Sequence, residues 1–115
     1  MSGISSHVLD TARGRPAAGV VVHLDVATGA NGGWRRVASA ETDDDGRVAA
    51  LLPAGAALEA ATYRLTFEVG AWFAAQGVDA FYPRAAVEFR VADPAQHFHV
   101  PLLLSPFGYS TYRGS

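Results

Sequence analysis

Four histidines, His7, His23, His97 and His99, are the only side chains in this sequence whose ordinary pKa lies close to neutrality, so acid/base chemistry must start from them. His97 and His99 flank Phe98, and on a strand two residues with that spacing project to one side. His7 closes the polar cluster Ser5-Ser6-His7, whereas His23, between Val22 and Leu24, reads as a half-exposed strand residue with no evident partner. Two imidazoles at i and i+2 also suit zinc, yet catalytic zinc sites need three protein ligands and structural ones four. No third ligand is evident without recruiting His7, so no metal is assigned. Arg47 follows the tight-turn sequence Asp43-Asp44-Asp45-Gly46. By itself it is an ordinary exposed cation, and beside a histidine it becomes a forked clamp for a planar anion or carbonyl. The sequence closes on Tyr112-Arg113-Gly114-Ser115, which offers a stacking ring, a guanidinium and a hydroxyl within four residues, an inventory suited to a small planar polar ligand.

These groups must be positioned by strands. At 115 residues, with 50% hydrophobic and 17% charged content, the sequence describes one folded domain spanning residues 1–115. Short β-type runs over residues 4–10, 20–26, 34–42, 47–52, 62–69, 87–91, 97–104 and 108–113 are separated by Gly, Pro and Asp turns. Tyr63, Leu65, Phe67 and Val69 alternate with Thr62, Arg64, Thr66 and Glu68, the period-2 signature of a half-buried strand. Between residues 70 and 77 the alternation breaks, and the spacing of Trp72, Phe73 and Gln76 predicts one short helix with Gly77 as its C-cap. The fold class expected is all-β, a two-sheet sandwich of eight antiparallel strands with that single helix. Trp34, Trp72, Phe73, Phe81 and Phe89 are expected to serve core or interface packing.

Several function classes are disfavoured. A net charge of −2 without a basic stripe lacks the electrostatic footprint of nucleic-acid binding. The absence of cysteine removes disulfide and thiolate chemistry. No apolar run is long enough to cross a bilayer, and Met1-Ser2-Gly3-Ile4 opens no secretory leader, so a cytoplasmic protein with no membrane partner is expected. The glycines of residues 29–33 lie between two strands, not between a strand and a helix, so they make no phosphate loop. No Gly-x-Ser-x-Gly elbow is present either.

Three segments carry a resemblance: His7-Val8-Leu9-Asp10-Thr11-Ala12-Arg13-Gly14-Arg15-Pro16-Ala17, then Thr42-Asp43-Asp44-Asp45-Gly46-Arg47, then His97-Phe98-His99-Val100-Pro101-Leu102-Leu103-Leu104-Ser105-Pro106 through Tyr112-Arg113-Gly114-Ser115. They resemble the 5-hydroxyisourate hydrolases, the transthyretin-related family of urate degradation, and the similarity covers essentially the whole chain. The terminal Tyr-Arg-Gly-Ser is its most specific mark, since hormone-carrying transthyretin lacks it. The resemblance implies a transthyretin-like sandwich that pairs edge to edge into dimers, two of which pack face to face into a homotetramer with active sites at the dimer-dimer interface. It places catalysis on His7, Arg47, His99 and Ser115, with Ser115 bonding an imidazole to fix its tautomer, and substrate contacts on His7, Arg47, Tyr112 and Arg113. His97 matches a position often filled by histidine but not assigned to chemistry. Phe98 departs from a common tyrosine, and the alanine-rich loop 54–61 follows no recognisable pattern. No metal or organic cofactor is implied. The rival expectation is a non-enzymatic carrier of an aromatic ligand. It is disfavoured because an apolar ligand would displace water from His7, Arg47, His99 and Arg113 without replacing its hydrogen bonds. A structural module for carbohydrate or protein contact would leave the terminal motif without a reason.

Overall fold

The alternation over residues 62–68 is realised as a strand buried on one face only. In the computed structural model, which describes residues 3–115, Tyr63, Leu65 and Phe67 are buried while their neighbours remain partly exposed. Met1 and Ser2, part of the opening read as leaderless, lie outside the described residues. Among the described residues the chain forms nine strands: β1 (Gly3–Asp10), β2 (Arg15–Pro16), β3 (Val21–Ala27), β4 (Trp34–Glu41), β5 (Arg47–Val48), β6 (Ala61–Phe67), β7 (Ala85–Val91), β8 (His97–Ser105) and β9 (Gly108–Thr111). One helix, α1 (Val69–Ala74), follows β6.

Two sheets result. One has the order β2-β1-β8-β9, with β5 also pairing with β1, and the other has the order β4-β3-β6-β7. Their inner faces close on a shared core that includes Ile4, Val8, Val22, Leu24, Leu65, Phe67, Leu102 and Leu104. Each such side chain contributes roughly 1.5–3 kcal/mol by leaving water. Two departures from the sequence expectation stand out. The ninth strand, β2, is a two-residue edge piece within a stretch read as turn, where Pro16 is tolerated because an edge strand needs no N–H from it. The pairing of β1 with β8 is parallel, so the sheets are not wholly antiparallel. The fourth expected strand also shrinks from residues 47–52 to Arg47–Val48.

The helix is shorter than expected: Ala75 is its C-cap, and Gly77 closes the turn two residues beyond. Gly77 takes φ 71°, its N–H donates to the Ala74 carbonyl and the Val78 N–H donates to that of Phe73, the paired bonds of a glycine-closed helix end. Of the aromatic residues, Phe73 is buried, Trp72 meets it edge-on at 5.1 Å and Phe89 stacks on Tyr63 at 6.1 Å. Phe81, expected in core or interface packing, is not in the core of the single chain, where it is 69% exposed and meets Tyr82 edge-on at 4.9 Å. His23 also has partners: Ser39 Oγ lies 2.7 Å from its Nδ1, and Glu68 lies 3.6 Å from its Nε2.

Asp25 is a buried carboxylate on β3, with Arg36 Nε donating to Oδ1 at 2.8 Å and Arg64 Nη2 donating to Oδ2 at 3.2 Å. Burial pushes its pKa up, but the hydrogen bonds and charges of Arg36 and Arg64 outweigh it and hold the group below the usual carboxylate range. A carboxyl depressed in the folded state stabilises the fold above its unfolded pKa, and that contribution is lost as pH falls through the folded value. Asp25→Asn therefore lowers unfolding free energy by roughly 1–3 kcal/mol at pH 7. In urea titrations the gap from the parent protein narrows below about pH 4.

Candidate active site

Register decides which side chains meet. In the parallel pair, Gly3, Ser5 and His7 of β1 stand beside His97, His99 and Pro101 of β8. Alternation turns Ile4, Ser6 and Val8 toward the core, where Ser6 Oγ donates to the Val100 carbonyl at 2.7 Å, and leaves Ser5 and His7 on the outer face with the two histidines. Ser5 Oγ lies 2.8 Å from His97 Nε2 and 2.8 Å from His99 Nδ1. The hydroxyl in contact with the imidazoles is thus Ser5's, not the Ser115 hydroxyl expected from the resemblance. The sequence contains its signal, the Gly3, Ser5, His7 alternation, but the signal is legible only once the parallel register is known.

Arg47 arrives from the opposite edge of β1. Asp43 Oδ1 accepts from the backbone N–H of Asp45 and of Arg47, and Gly46 takes φ 75° to close the turn. A Cβ on Gly46 would stand 2.4 Å from the Val8 carbonyl oxygen, so only glycine lets the turn dock this closely on β1. The docking sets His7 opposite Arg47 and Ser6 opposite Val48. It also fixes a tautomer: the Asp45 carbonyl, 2.8 Å from His7 Nε2, can only accept, so Nε2 carries the proton and the lone pair of neutral His7 lies on Nδ1. No carboxylate forms an ion pair with Arg47 among the described residues.

The closing residues divide between two sides of the sheet. Gly114 bridges to His99, its N–H donating to the His99 carbonyl at 2.8 Å, and Ser115 joins Ser5, Arg47, His97 and His99 around a shallow cavity of about 270 Å³. Arg113, one residue earlier, projects the other way: its guanidinium lies 4.6 Å above the Phe98 ring and donates to Gln96 Oε1 at 2.9 Å. Tyr112 and Arg113 line a separate cavity of about 230 Å³ with Phe98 and the β7 residues Val87 and Phe89. Within one chain, then, the structure brings Arg47, His99 and Ser115 to one cavity with His7 beside them, and places Tyr112 and Arg113 elsewhere.

Gly114 has its own steric reason. A Cβ there would stand 2.5 Å from His99 Cδ2, so the imidazole lies flush against the tail only because no side chain intervenes. Displacement of a catalytic ring by about 1 Å can cost up to 100-fold in rate. Gly114→Ala is accordingly expected to lower kcat by roughly 10- to 100-fold with KM little changed, as read by steady-state kinetics.

Electrostatics select His99 as a neutral base. Burial lowers its pKa from the ordinary value, and Arg47, His7 and His97 each lower it further by opposing a new positive charge. With Nδ1 on Ser5 and Cδ2 against Gly114, Nε2 is the nitrogen left for a ligand. Among the described residues no group of three His, Cys, Asp or Glu side chains is arranged to hold a metal ion. A neutral imidazole, a second histidine of fixed tautomer and an unpaired guanidinium together suit general-base attack of water on a carbonyl, with the cation stabilising the resulting oxyanion.

A two-sheet sandwich carrying three histidines and an arginine on the outer face of one sheet defines a transthyretin-like domain with a candidate hydrolytic site. Residues 4–114 match the model of the HIUase/Transthyretin family, and the chain belongs to that family. It is 46% identical over 119 residues to the 5-hydroxyisourate hydrolase of Caulobacter vibrioides, with 100% of both chains covered. Among solved structures, the 5-hydroxyisourate hydrolase of Klebsiella pneumoniae superposes with a TM-score of 0.85 at 40% identity, over 99% of this chain and 100% of that one. The transthyretin of Sparus aurata superposes with a TM-score of 0.88 at 30% identity, over 99% and 97%. The fold is thus common to a 5-hydroxyisourate hydrolase and a transthyretin, and of these two the hydrolase is the more similar in sequence.

Proposed function

We propose that this protein, as a single domain spanning residues 1–115, hydrolyses 5-hydroxyisourate to 2-oxo-4-hydroxy-4-carboxy-5-ureidoimidazoline in urate degradation. The observation that carries the reading is His99, kept neutral by burial and by Arg47 at the mouth of an open cavity. A water molecule attacks a ring carbonyl while a histidine, His99 or His7, takes its proton. Arg47 stabilises the oxygen that becomes negative. Collapse of the tetrahedral species breaks the ring C–N bond, the histidine returns its proton to the departing nitrogen, and the new carboxylate stays with the product. Ser115 closes the cavity beside His99. Tyr112 and Arg113 serve substrate binding from a distance in this chain, because the Arg113 stack on Phe98 anchors the tail that carries Gly114 and Ser115.

The carrier reading is not favoured, since a cavity edged by Arg47, His97 and His99 is poorly matched to an apolar ligand. We further propose that the protein works as a homotetramer in the cytoplasm. The cavity lies on an outer sheet face that also presents Leu9 and Leu103, so a second dimer packed on that face would cover those leucines and exclude water from the site. No helix among the described residues is long and apolar enough to cross a membrane. The deciding experiment generates 5-hydroxyisourate enzymatically from urate and follows its ultraviolet decay. The expected result is accelerated decay in the presence of the protein, and an unchanged rate overturns the reading.

A further inference from the structure

We propose that Ser5 and His97 form a proton relay behind His99, carrying the proton that His99 takes from water out to an exposed imidazole. The inference rests on the hydrolase reading above, in which neither Ser5 nor His97 has a role. Its basis is a contact that constrains itself. Ser5 Oγ lies 2.8 Å from a nitrogen of each ring, and a hydroxyl has one proton to donate. Ser5 Oγ can therefore donate to only one of the two imidazoles, and whenever it does so the other ring must donate to it, which links the tautomer of His97 to that of His99.

Two arrangements place the Ser5 proton between the rings. In the first, His99 Nδ1–H donates to Ser5, Ser5 donates to His97 Nε2, and His99 Nε2 carries a bare lone pair toward the cavity. In the second, His97 Nε2–H donates to Ser5, Ser5 donates to His99 Nδ1, and His99 Nε2 carries the proton. Attack by water converts the first into the second: Nε2 of His99 gains the water proton, its Nδ1 proton passes to Ser5, and the Ser5 proton passes to His97 Nε2. His99 begins and ends neutral, and the positive charge appears on His97.

The physical advantage follows from the surroundings. The charged or titratable groups facing His99 are His7 on β1, Arg47 on β5 and His97 on β8, and burial adds to their opposition to a charge on His99. Within one chain His97 is exposed where His99 is half-buried, so desolvation opposes an imidazolium less on His97 than on His99. Its ring also lies over a bare backbone, with Nδ1 3.5 Å from where a Gly3 Cβ would stand. Returning the proton to the departing nitrogen runs the same path backward and restores the starting tautomers.

Both Ser5 and His97 act through His99 and are positioning residues, so the test joins kinetics to a spectroscopic readout. In Ser5→Ala, kcat for 5-hydroxyisourate is expected to fall roughly 10-fold or more with KM nearly constant. Ser5→Thr, which keeps the hydroxyl, is expected to recover most of the loss. His97→Gln accepts a hydrogen bond but cannot take a proton, and is expected to lose a similar factor and to remove one ionisation from the kcat-pH profile. Imidazole ¹⁵N shifts of the protein without substrate are expected to show His97 and His99 titrating as a coupled pair, and the coupling is expected to vanish in Ser5→Ala. Wild-type ¹⁵N titrations of the two rings that are independent of Ser5 overturn the relay even if the protein hydrolyses 5-hydroxyisourate. Coupled titrations in a protein that fails to hydrolyse it retain the linked tautomers and sink the hydrolase reading instead.

Discussion

Replacing His99 by Asn is expected to lower kcat for 5-hydroxyisourate hydrolysis by roughly 100-fold or more while the fold persists. His99 is half-buried on the outer face of β8, so its removal leaves no cavity in the core between the sheets. The loss falls on chemistry because Nε2 is the basic atom presented to the cavity, whereas an asparagine amide cannot accept a proton at neutral pH. The parent enzyme's pH profile tests the same assignment. Burial, Arg47, His7 and His97 all depress the His99 pKa, so the acid limb of kcat is expected below the ordinary imidazole value of about 6.5. Activity is full above that limb and falls as pH drops through it. Near-parental turnover by His99→Asn, with circular dichroism showing an intact sandwich, would remove His99 from the mechanism.

Arg47→Gln is expected to act twice. Loss of the oxyanion's cationic partner lowers kcat by roughly 100-fold. Removal of a positive neighbour also makes protonation of His99 easier, so the acid limb of the residual activity moves to higher pH. The two effects separate experimentally, since the first persists at alkaline pH and the second does not. Arg47 is exposed and its turn is held by backbone bonds to Asp43, so the variant keeps the turn and its docking on β1. A drop in kcat with an unmoved acid limb would mean that the guanidinium faces substrate but not His99.

How far the sequence anticipated this site depended on the range of the information required. Alternation is local, so β6, the shared face of His97 and His99, and the glycine-closed end of α1 could all be read from neighbouring residues. The importance of Arg47 came from resemblance to a family, since the residues alone left it an ordinary exposed cation, whereas the closing residues stood out by their own groups and took a catalytic role only from the resemblance. Ser5 escaped notice because its partners lie 92 and 94 residues away, and nothing local states that β1 runs parallel to β8. The same limit hid the division of the tail: residue order grouped Tyr112 and Arg113 with Ser115, whereas the extended backbone sends Arg113 to Phe98 and brings Gly114 to His99. The edge strand β2 was missed because an Arg-Pro dipeptide after a glycine has the composition of a turn.

The parallel pair has a consequence for how the protein is born. During synthesis β1 leaves the ribosome early, and its neighbour β8 is made some 92 residues later. At roughly 5–20 residues per second, β1 waits on the order of 5–20 s with one edge open to any other strand, including that of a sister nascent chain. Its buried serine, Ser6, donates to Val100 and is unsatisfied by protein throughout that interval. Enzymatic activity is therefore a timer for completed folding: the cavity does not exist until the last strands have closed against the first, and turnover should appear only after most of the native backbone is already protected from hydrogen exchange.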